Sequence, residues 1–255
     1  MGAARVRAAL AAFRFLTRLR LPGPPTGPQD LGAAVGWFPL VGAGVGLATA
    51  AVHAAGLAWW PGPVAAVPAL AFGLLLTGGF HEDGATDAAD GLGGGWTRER
   101  VLEIMRDSRI GAYGAMALWV LLALRWAALA ALGRSALLAL PVAMAWGRWS
   151  IPVMLTALPP VSDGLARGVH QGMDRWAPAW ASVLAVLVSL AAWRLGGPAW
   201  PGGVRLLWMP PAAALVAVGA WILYLRQRLG GHSGDLLGAG NQLAEAAVLL
   251  ALLAR

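Results

Sequence analysis

Seven of the twelve acidic residues in this 255-residue chain fall between positions 82 and 107: Glu82, Asp83, Asp87, Asp90, Glu99, Glu103 and Asp107. The run GGFHEDGATDAADG (78–91) spaces Asp83, Asp87 and Asp90 at i, i+4 and i+7. On a helix that spacing puts three carboxylates on one face. Like charges so placed repel, so the register makes sense if a cation sits against them. A solvated acidic loop would need no helical register. Hard oxygen donors without a cysteine or histidine set select Mg²⁺, Mn²⁺ or Ca²⁺ over zinc. The lone His81 beside the stripe reads as a hydrogen-bonding neighbour rather than a ligand.

Two further segments carry chemistry. In LEIMRDSRIGAYG (102–114), preceded by the helix-capping Thr97, Arg106 and Arg109 stand three apart on one predicted face. Paired guanidinium groups grip phosphate oxygens bidentately. Asp107 between them either shares the metal or pairs with an arginine. In GGHSGDLLGA (230–239) a glycine-rich turn runs into the last apolar segment, and backbone N–H groups at such a helix start bind anions. Asp235, Gly238, Gln242 and Glu245 continue as one polar stripe. By helix rise Glu245 lies about 15 Å inside. An intramembrane carboxylate is costly, so Glu245 either works at the site or hydrogen-bonds within the bundle as a packing device. His53 and His170 read as structural. Carboxylates for a divalent metal, an arginine pair and a glycine-rich helix start together describe a site for transfer at a phosphate or pyrophosphate. The metal neutralises oxygens, the arginines take up developing charge, and a carboxylate accepts a proton.

The elements that position these groups follow from composition. The chain is 58% apolar and only 12% charged. A soluble domain carries about 25% charged residues. This excludes a disordered chain and an ordinary soluble enzyme, and long unbroken apolar runs favour helices over barrel strands. There is no cysteine, which excludes disulfides and thiolate chemistry, and all 19 basic residues are arginine, which excludes lysine chemistry. The net charge of +7 is read as loops facing anionic lipid, not as nucleic-acid binding. The expected fold is an all-α polytopic membrane bundle in a single domain over 1–255. Seven spans are predicted, within a range of six to eight: Gly32–Ala58, Val64–Phe80, Ala112–Leu132, Ser135–Leu158, Ala177–Leu195, Leu206–Leu225 and Leu236–Ala254. Pro141, Pro152, Pro210 and Pro211 are expected to kink or end helices early. Residues 1–28 form an interfacial segment, with Ala3–Leu21 an arginine-rich amphipathic helix broken by Leu21–Pro28. With the N-terminus inside, 13 arginines fall to inside segments. Five fall outside (Arg125, Arg134, Arg194, Arg205 and Arg255), and Arg148 lies within a span. That bias puts the polar loops on the cytoplasmic side.

The three motifs, together with the N-terminal FRFLTRLRLP, resemble the signature segments of the cobalamin synthase (adenosylcobinamide-GDP ribazoletransferase) family along essentially the whole chain. The resemblance implies an Mg²⁺-dependent enzyme of the bacterial inner membrane that joins adenosylcobinamide-GDP to α-ribazole, or to its 5′-phosphate. The products would be GMP and adenosylcobalamin or its 5′-phosphate. It implies catalytic roles among Glu82, Asp83, Asp87, Asp90 and Asp107, with Asp83, Asp87 and Asp90 on the metal and Glu82 or Asp107 as base. Arg106, Ser108, Arg109 and Gly111 match its second segment and Asp235 and Gly238 its third; with Ser233 and Gly234 of the glycine-rich turn and Glu245 of the polar stripe, Arg106, Ser108, Arg109, Gly111 and Asp235 are the expected substrate contacts. Three positions depart from the family pattern: Arg106 where lysine is common, Thr86 for alanine, and Gln242 where glutamate is expected. The expected partners are the two substrates and membrane lipid, with no nucleic acid; a homo-oligomer is left open.

Two other readings compete. A CDP-alcohol phosphatidyltransferase also uses spaced membrane aspartates, but it wants an Ala-Arg pair where Ala85 is followed by Thr86. A cation- or proton-coupled transporter predicts acids near the bilayer midplane on several spans.

Overall fold

The structure, a computed structural model, describes residues 2–24, 26–196 and 203–254. Twelve α-helices and no strand occur among the described residues. In chain order they are α1 Gly2–Leu16, α2 Pro28–Ala34, α3 Phe38–Gly56, α4 Gly62–Thr77, α5 Phe80–Gly94, α6 Arg98–Ile104, α7 Ala112–Leu132, α8 Ala136–Ala157, α9 Leu165–Gly172, α10 Ala177–Gly196, α11 Arg205–Arg228 and α12 Gly234–Leu253. Each of the seven expected spans coincides with one long helix: α3, α4, α7, α8, α10, α11 and α12. Five segments are long and apolar enough to cross a membrane, and α4 with α5 makes a sixth if that bent pair is one span. One of the five, Ala112–Ala157, carries both α7 and α8. At 1.5 Å per residue each of these two is long enough for a hydrocarbon core of about 30 Å. Leu75, Trp119, Val120, Val186, Leu187, Val216 and Leu250 point outward from these helices, as lipid-facing side chains do.

α8 is the hub. It is buried along nearly its whole length, from Ala136 to Leu155, as a helix that is apolar all round must be. α3 lies against it across Gly42 and Gly46: a Cβ on Gly46 would come within 2.6 Å of the Leu140 carbonyl oxygen. Glycines spaced by four let two membrane helices approach to backbone contact. α12 crosses α8 at Gly147, beside Asn241 and Glu245. α10 is tied on by indole hydrogen bonds, Trp146 Nε1 to Ser189 Oγ at 3.0 Å and Trp149 Nε1 to Ser182 Oγ at 2.8 Å.

Pro141, Pro152, Pro210 and Pro211 do not end helices: they lie inside α8 and α11, as Pro68 lies inside α4. Neighbouring helices make such positions tolerable in a membrane bundle. The N-terminal helix is shorter than expected, stopping at Leu16, and it is more than a surface float. Ala11, Ala12 and Leu16 are buried, and Phe15 stacks on Phe38 at 5.9 Å and meets Phe80 edge-on at 5.3 Å.

The element that matters most for chemistry is α5. It leaves α4 at 89°. The bend is made by Gly78 and Gly79, consecutive residues with φ of 74° and 67°. Two left-handed residues in a row are a glycine-only conformation in practice. Nothing approaches the position a Cβ would take at Gly79, so substitution there tests backbone conformation alone. Gly79→Ala is expected to destabilise the fold by about 1–2 kcal/mol, measured by denaturant titration in mixed micelles. An alanine that costs nothing would contradict this geometry.

Candidate active site

Polar loops meet at one end of the bundle. Arg228, at the end of α11, donates to the carbonyls of Gly95 and Trp96 just past α5, and Arg226 reaches Ala157 O at 2.9 Å. The loop after α8 pairs with the turn before α12, through Val161 N to His232 O at 2.9 Å and His232 N to Pro159 O at 2.8 Å. The imidazoles of His232 and His170 face one another at 3.4 Å, so His170 lies on α9 against the glycine-rich turn. Ser233 caps α12 by accepting from Leu236 N at 3.4 Å. α5 crosses α12 at a pair of glycines: a Cβ on Gly84 would sit 3.0 Å from Asp235 Cα, and one on Gly238 would sit 3.3 Å from His81 O. This close approach sets Asp235 beside Asp83.

The carboxylates of α5 have four different fates. Glu82 turns into the bundle and pairs with Arg125 of α7, both buried. Arg125 also holds Glu245 Oε1 at 2.7 Å and donates to Gln242 Oε1 at 2.5 Å, and Arg148 of α8 holds Glu245 Oε2 at 2.5 Å. Two glutamates and two arginines thus form a buried, electrically balanced lattice across α5, α7, α8 and α12. Arg125 therefore does not belong to an outside segment. It lies mid-helix, and the arginine count on the outer side falls accordingly. Gln242, a neutral acceptor where glutamate is expected, keeps the lattice balanced. Glu245, 1% exposed, is held inside the bundle by two arginines, as a packing device would be.

Asp90 caps α7. Its Oδ2 accepts from Gly111 N at 2.7 Å and its Oδ1 from Gly114 N at 2.8 Å. The partially positive start of a helix favours such an anion. The two glycines leave room for it, since a Cβ on either would collide with this carboxylate. The backbone amide of Gly111 is thereby spent within the protein. The expected metal set of Asp83, Asp87 and Asp90 is not assembled: among the described residues no group of three or more His, Asp or Glu is arranged to hold a metal ion.

Asp83 is exposed and Asp87 half-buried, and neither makes an ion pair among the described residues. By itself α5 is not among the five apolar spans. The Asp87 carboxyl is pushed up to about 6 by burial and then by Asp83, Asp235 and Asp90. Unneutralised negative charge is concentrated here.

The second segment also departs from expectation. α6 starts at a Thr97 cap, as expected, with Thr97 Oγ1 accepting from Arg100 N at 3.3 Å. It stops at Ile104, so Arg106 and Arg109 lie in a loop and share no helical face. Arg109 forks onto Asp107, with Nη2 at 2.6 Å from Oδ2. That guanidinium holds the Asp107 carboxyl down to about 2, which makes it a weak base.

Two concavities flank Asp83. One is a cavity of about 310 Å³ with Asp83, Arg106, Asp163, Ser233, Gly234 and Asp235 among its polar lining. The other is an open groove with Arg18, Asp83, Asp87 and Ser108 on its walls and Glu82 at the edge. Sequence reasoning missed Arg18, Arg125, Arg148 and the aromatic wall from Phe15, Phe38 and Phe80. A charge in the middle of an apolar run was the available signal for the buried arginines.

The family described as cobalamin-5-phosphate synthase matches residues 8–253, and the chain belongs to that family. Proteins named adenosylcobinamide-GDP ribazoletransferase are similar throughout. One from Rhizobium etli is 42% identical over 94% of each chain. Those from Ralstonia nicotianae and Leptothrix cholodnii are each 40% identical over 95% of this chain and 93% of their own. No solved structure matches the chain. This membership decides against the phosphatidyltransferase and the transporter readings. In the transporter reading, moreover, the span carboxylate would be available, whereas Glu245 is neutralised by two arginines.

Removing one partner from a buried ion pair strands the other charge, at a cost of about 3–5 kcal/mol. Glu245→Gln is expected to destabilise the protein by that order, and Glu245→Gln with Arg148→Met to recover a large part of it, by unfolding titration in micelles. A single-variant loss below about 1 kcal/mol would contradict a stabilising lattice.

Proposed function

We propose that the protein joins adenosylcobinamide-GDP to α-ribazole, or to its 5′-phosphate, and releases GMP. The observation that carries this reading is the set of acids left without a partner among the described residues: Asp83, Asp87 and Asp235 crowd together where α5 crosses α12, while Glu82, Asp90, Asp107 and Glu245 are all engaged elsewhere. The names of relatives some 40% identical over nearly the whole chain support the substrates.

Mg²⁺ characteristically uses one or two carboxylates, keeps several waters and takes the rest of its shell from substrate phosphates. The donor set fits that habit: Asp83 and Asp87 would hold the ion, with no third protein ligand required. When bound, it neutralises the diphosphate oxygens and eases departure of the leaving phosphate.

Asp83 and Asp87 orient the diphosphate between cavity and groove. Arg106, exposed at the cavity, takes up charge on departing GMP, and Arg18 and Ser108 serve the groove side. A ribazole hydroxyl oxygen attacks the phosphorus on the corrinoid side, and the bond from that phosphorus to the bridging oxygen breaks. GMP leaves with the electron pair, and the hydroxyl proton passes to Asp235, which lines the cavity. Glu82, buried on Arg125, is too firmly paired to serve as the base, and Asp107 is turned onto Arg109. We place the enzyme in the bacterial inner membrane with this end toward the cytoplasm, the side that carries the arginine excess.

Purified protein given adenosylcobinamide-GDP, α-ribazole and Mg²⁺ is expected to produce GMP, detected by mass spectrometry; CMP release from a CDP-alcohol instead would overturn the assignment. Asp83→Asn and Asp87→Asn are each expected to lower kcat/KM by on the order of 10²–10³-fold. Near-normal rates in both variants across a Mg²⁺ titration would refute the metal role.

A further inference from the structure

The cavity beside Asp83 has more to it than the diphosphate needs. Its charged groups Asp83, Arg106 and Asp163 are exposed, while its interior is walled by Phe38, Ile151, Leu155, Val169 and Leu237, all buried, with Phe15 alongside and the exposed Phe80 at the rim. Walls of this kind, with a few polar groups at the opening, suit a flat apolar ring system carrying a hydrophilic tail. Within them stands one polar group with no role yet. His81 is 3% exposed and lines the cavity, and its Nε2 has no hydrogen-bond partner among the described residues. A buried ring nitrogen left unpaired is destabilising, so a ligand that brings a hydrogen-bond partner to this imidazole would be stabilised there.

Size separates the two substrates of the proposed reaction. At about 310 Å³ the cavity lies at the lower end of the range for small-molecule sites. It admits a nucleoside with a bicyclic base. It is far too small for a corrinoid macrocycle with its side chains, for which the open groove on the other flank of Asp83 is the available surface. We propose that this cavity is the acceptor pocket, holding the dimethylbenzimidazole ring of α-ribazole between the aromatic and aliphatic walls, with the His81 imidazole hydrogen-bonded to the nucleoside. The ribose then lies at the opening, toward Asp83 and Asp235, and the diphosphate reaches the same residues from the groove. This assignment rests on the transferase reading above and adds which substrate occupies which side.

The test uses full-length protein in nanodiscs and two variants. Ala166 of α9 lines the cavity, so Ala166→Phe fills it from the side. His81→Phe removes the ring nitrogens while keeping an aromatic ring. The expected result is a rise of about tenfold or more in KM for α-ribazole in each variant. KM for adenosylcobinamide-GDP should stay within about twofold, which also certifies that the variants are folded. Direct titration with α-ribazole, followed by its own fluorescence, should show the same weakening without the second substrate. A benzimidazole riboside lacking the two methyl groups should bind the wild type less tightly and discriminate little in Ala166→Phe. Equal effects on both substrates, or an effect on the corrinoid alone, would overturn the assignment. So would unchanged α-ribazole binding with an altered dependence of activity on lipid, which would mark the cavity as an acyl-chain site. If the wild type itself makes no GMP, the reaction assignment fails. If it does, and both variants keep a normal KM for α-ribazole, only the pocket assignment fails.

Discussion

The fold turns on a buried lattice of charge. Glu82, Arg125, Glu245 and Arg148 come from four different helices and meet in the buried interior of the bundle. Each would be prohibitively costly alone in an apolar interior, and together they are tolerable only in one arrangement. Such a lattice specifies geometry more than it adds stability. It fixes the start of α5 against α7, α8 and α12, immediately after the flexible choice made at Gly78 and Gly79. The residue that anchors α5, Glu82, directly precedes Asp83, so the anchor and the chemistry share one helical turn.

From this constraint follows a sorting of carboxylates by partner. Those that meet arginine or helix amides become structural: Glu82 and Glu245 in the lattice, Asp90 at the start of α7, Asp107 on Arg109. Those that form no ion pair among the described residues keep unneutralised charge, and the crowding at Asp87 records it. The same helix therefore builds the scaffold with its inward and far ends and presents a charged ridge between cavity and groove with its middle. Close crossing at Gly84 and Gly238 brings Asp235 into that ridge from a helix more than a hundred residues away in the sequence.

The bundle was legible from the chain because apolar runs long enough to span are unambiguous, and each expected span coincides with a helix. The acidic register was legible too, since α5 is a helix through all three aspartates. What periodicity could not convey was which partner each charge finds. Asp90 lies on the same predicted face as Asp83, yet the chain returns at Gly111 and Gly114 to claim it, a contact made across more than twenty residues. Arg106 and Arg109 were placed on one face because a helix was extended past Ile104, where the chain instead loops. Arg125 was assigned outside by counting charges, when its place in the middle of an apolar run already called for a buried acid. The cavity was not visible at all, because its walls come from α1, α3, α5, α6, α8, α9 and α12 and the loops between them.

Hydrogen–deuterium exchange on Glu82→Gln, compared with the native protein in nanodiscs, addresses the lattice most directly. Only α5 loses its tether in this variant, while Glu245 keeps both arginines. The account requires exchange at the amides of residues 83–94 to accelerate by about tenfold or more while α8 and α12 stay protected. Unchanged protection of α5, or a uniform loss across the bundle, would show that something other than this interior ion pairing holds the acidic helix in place.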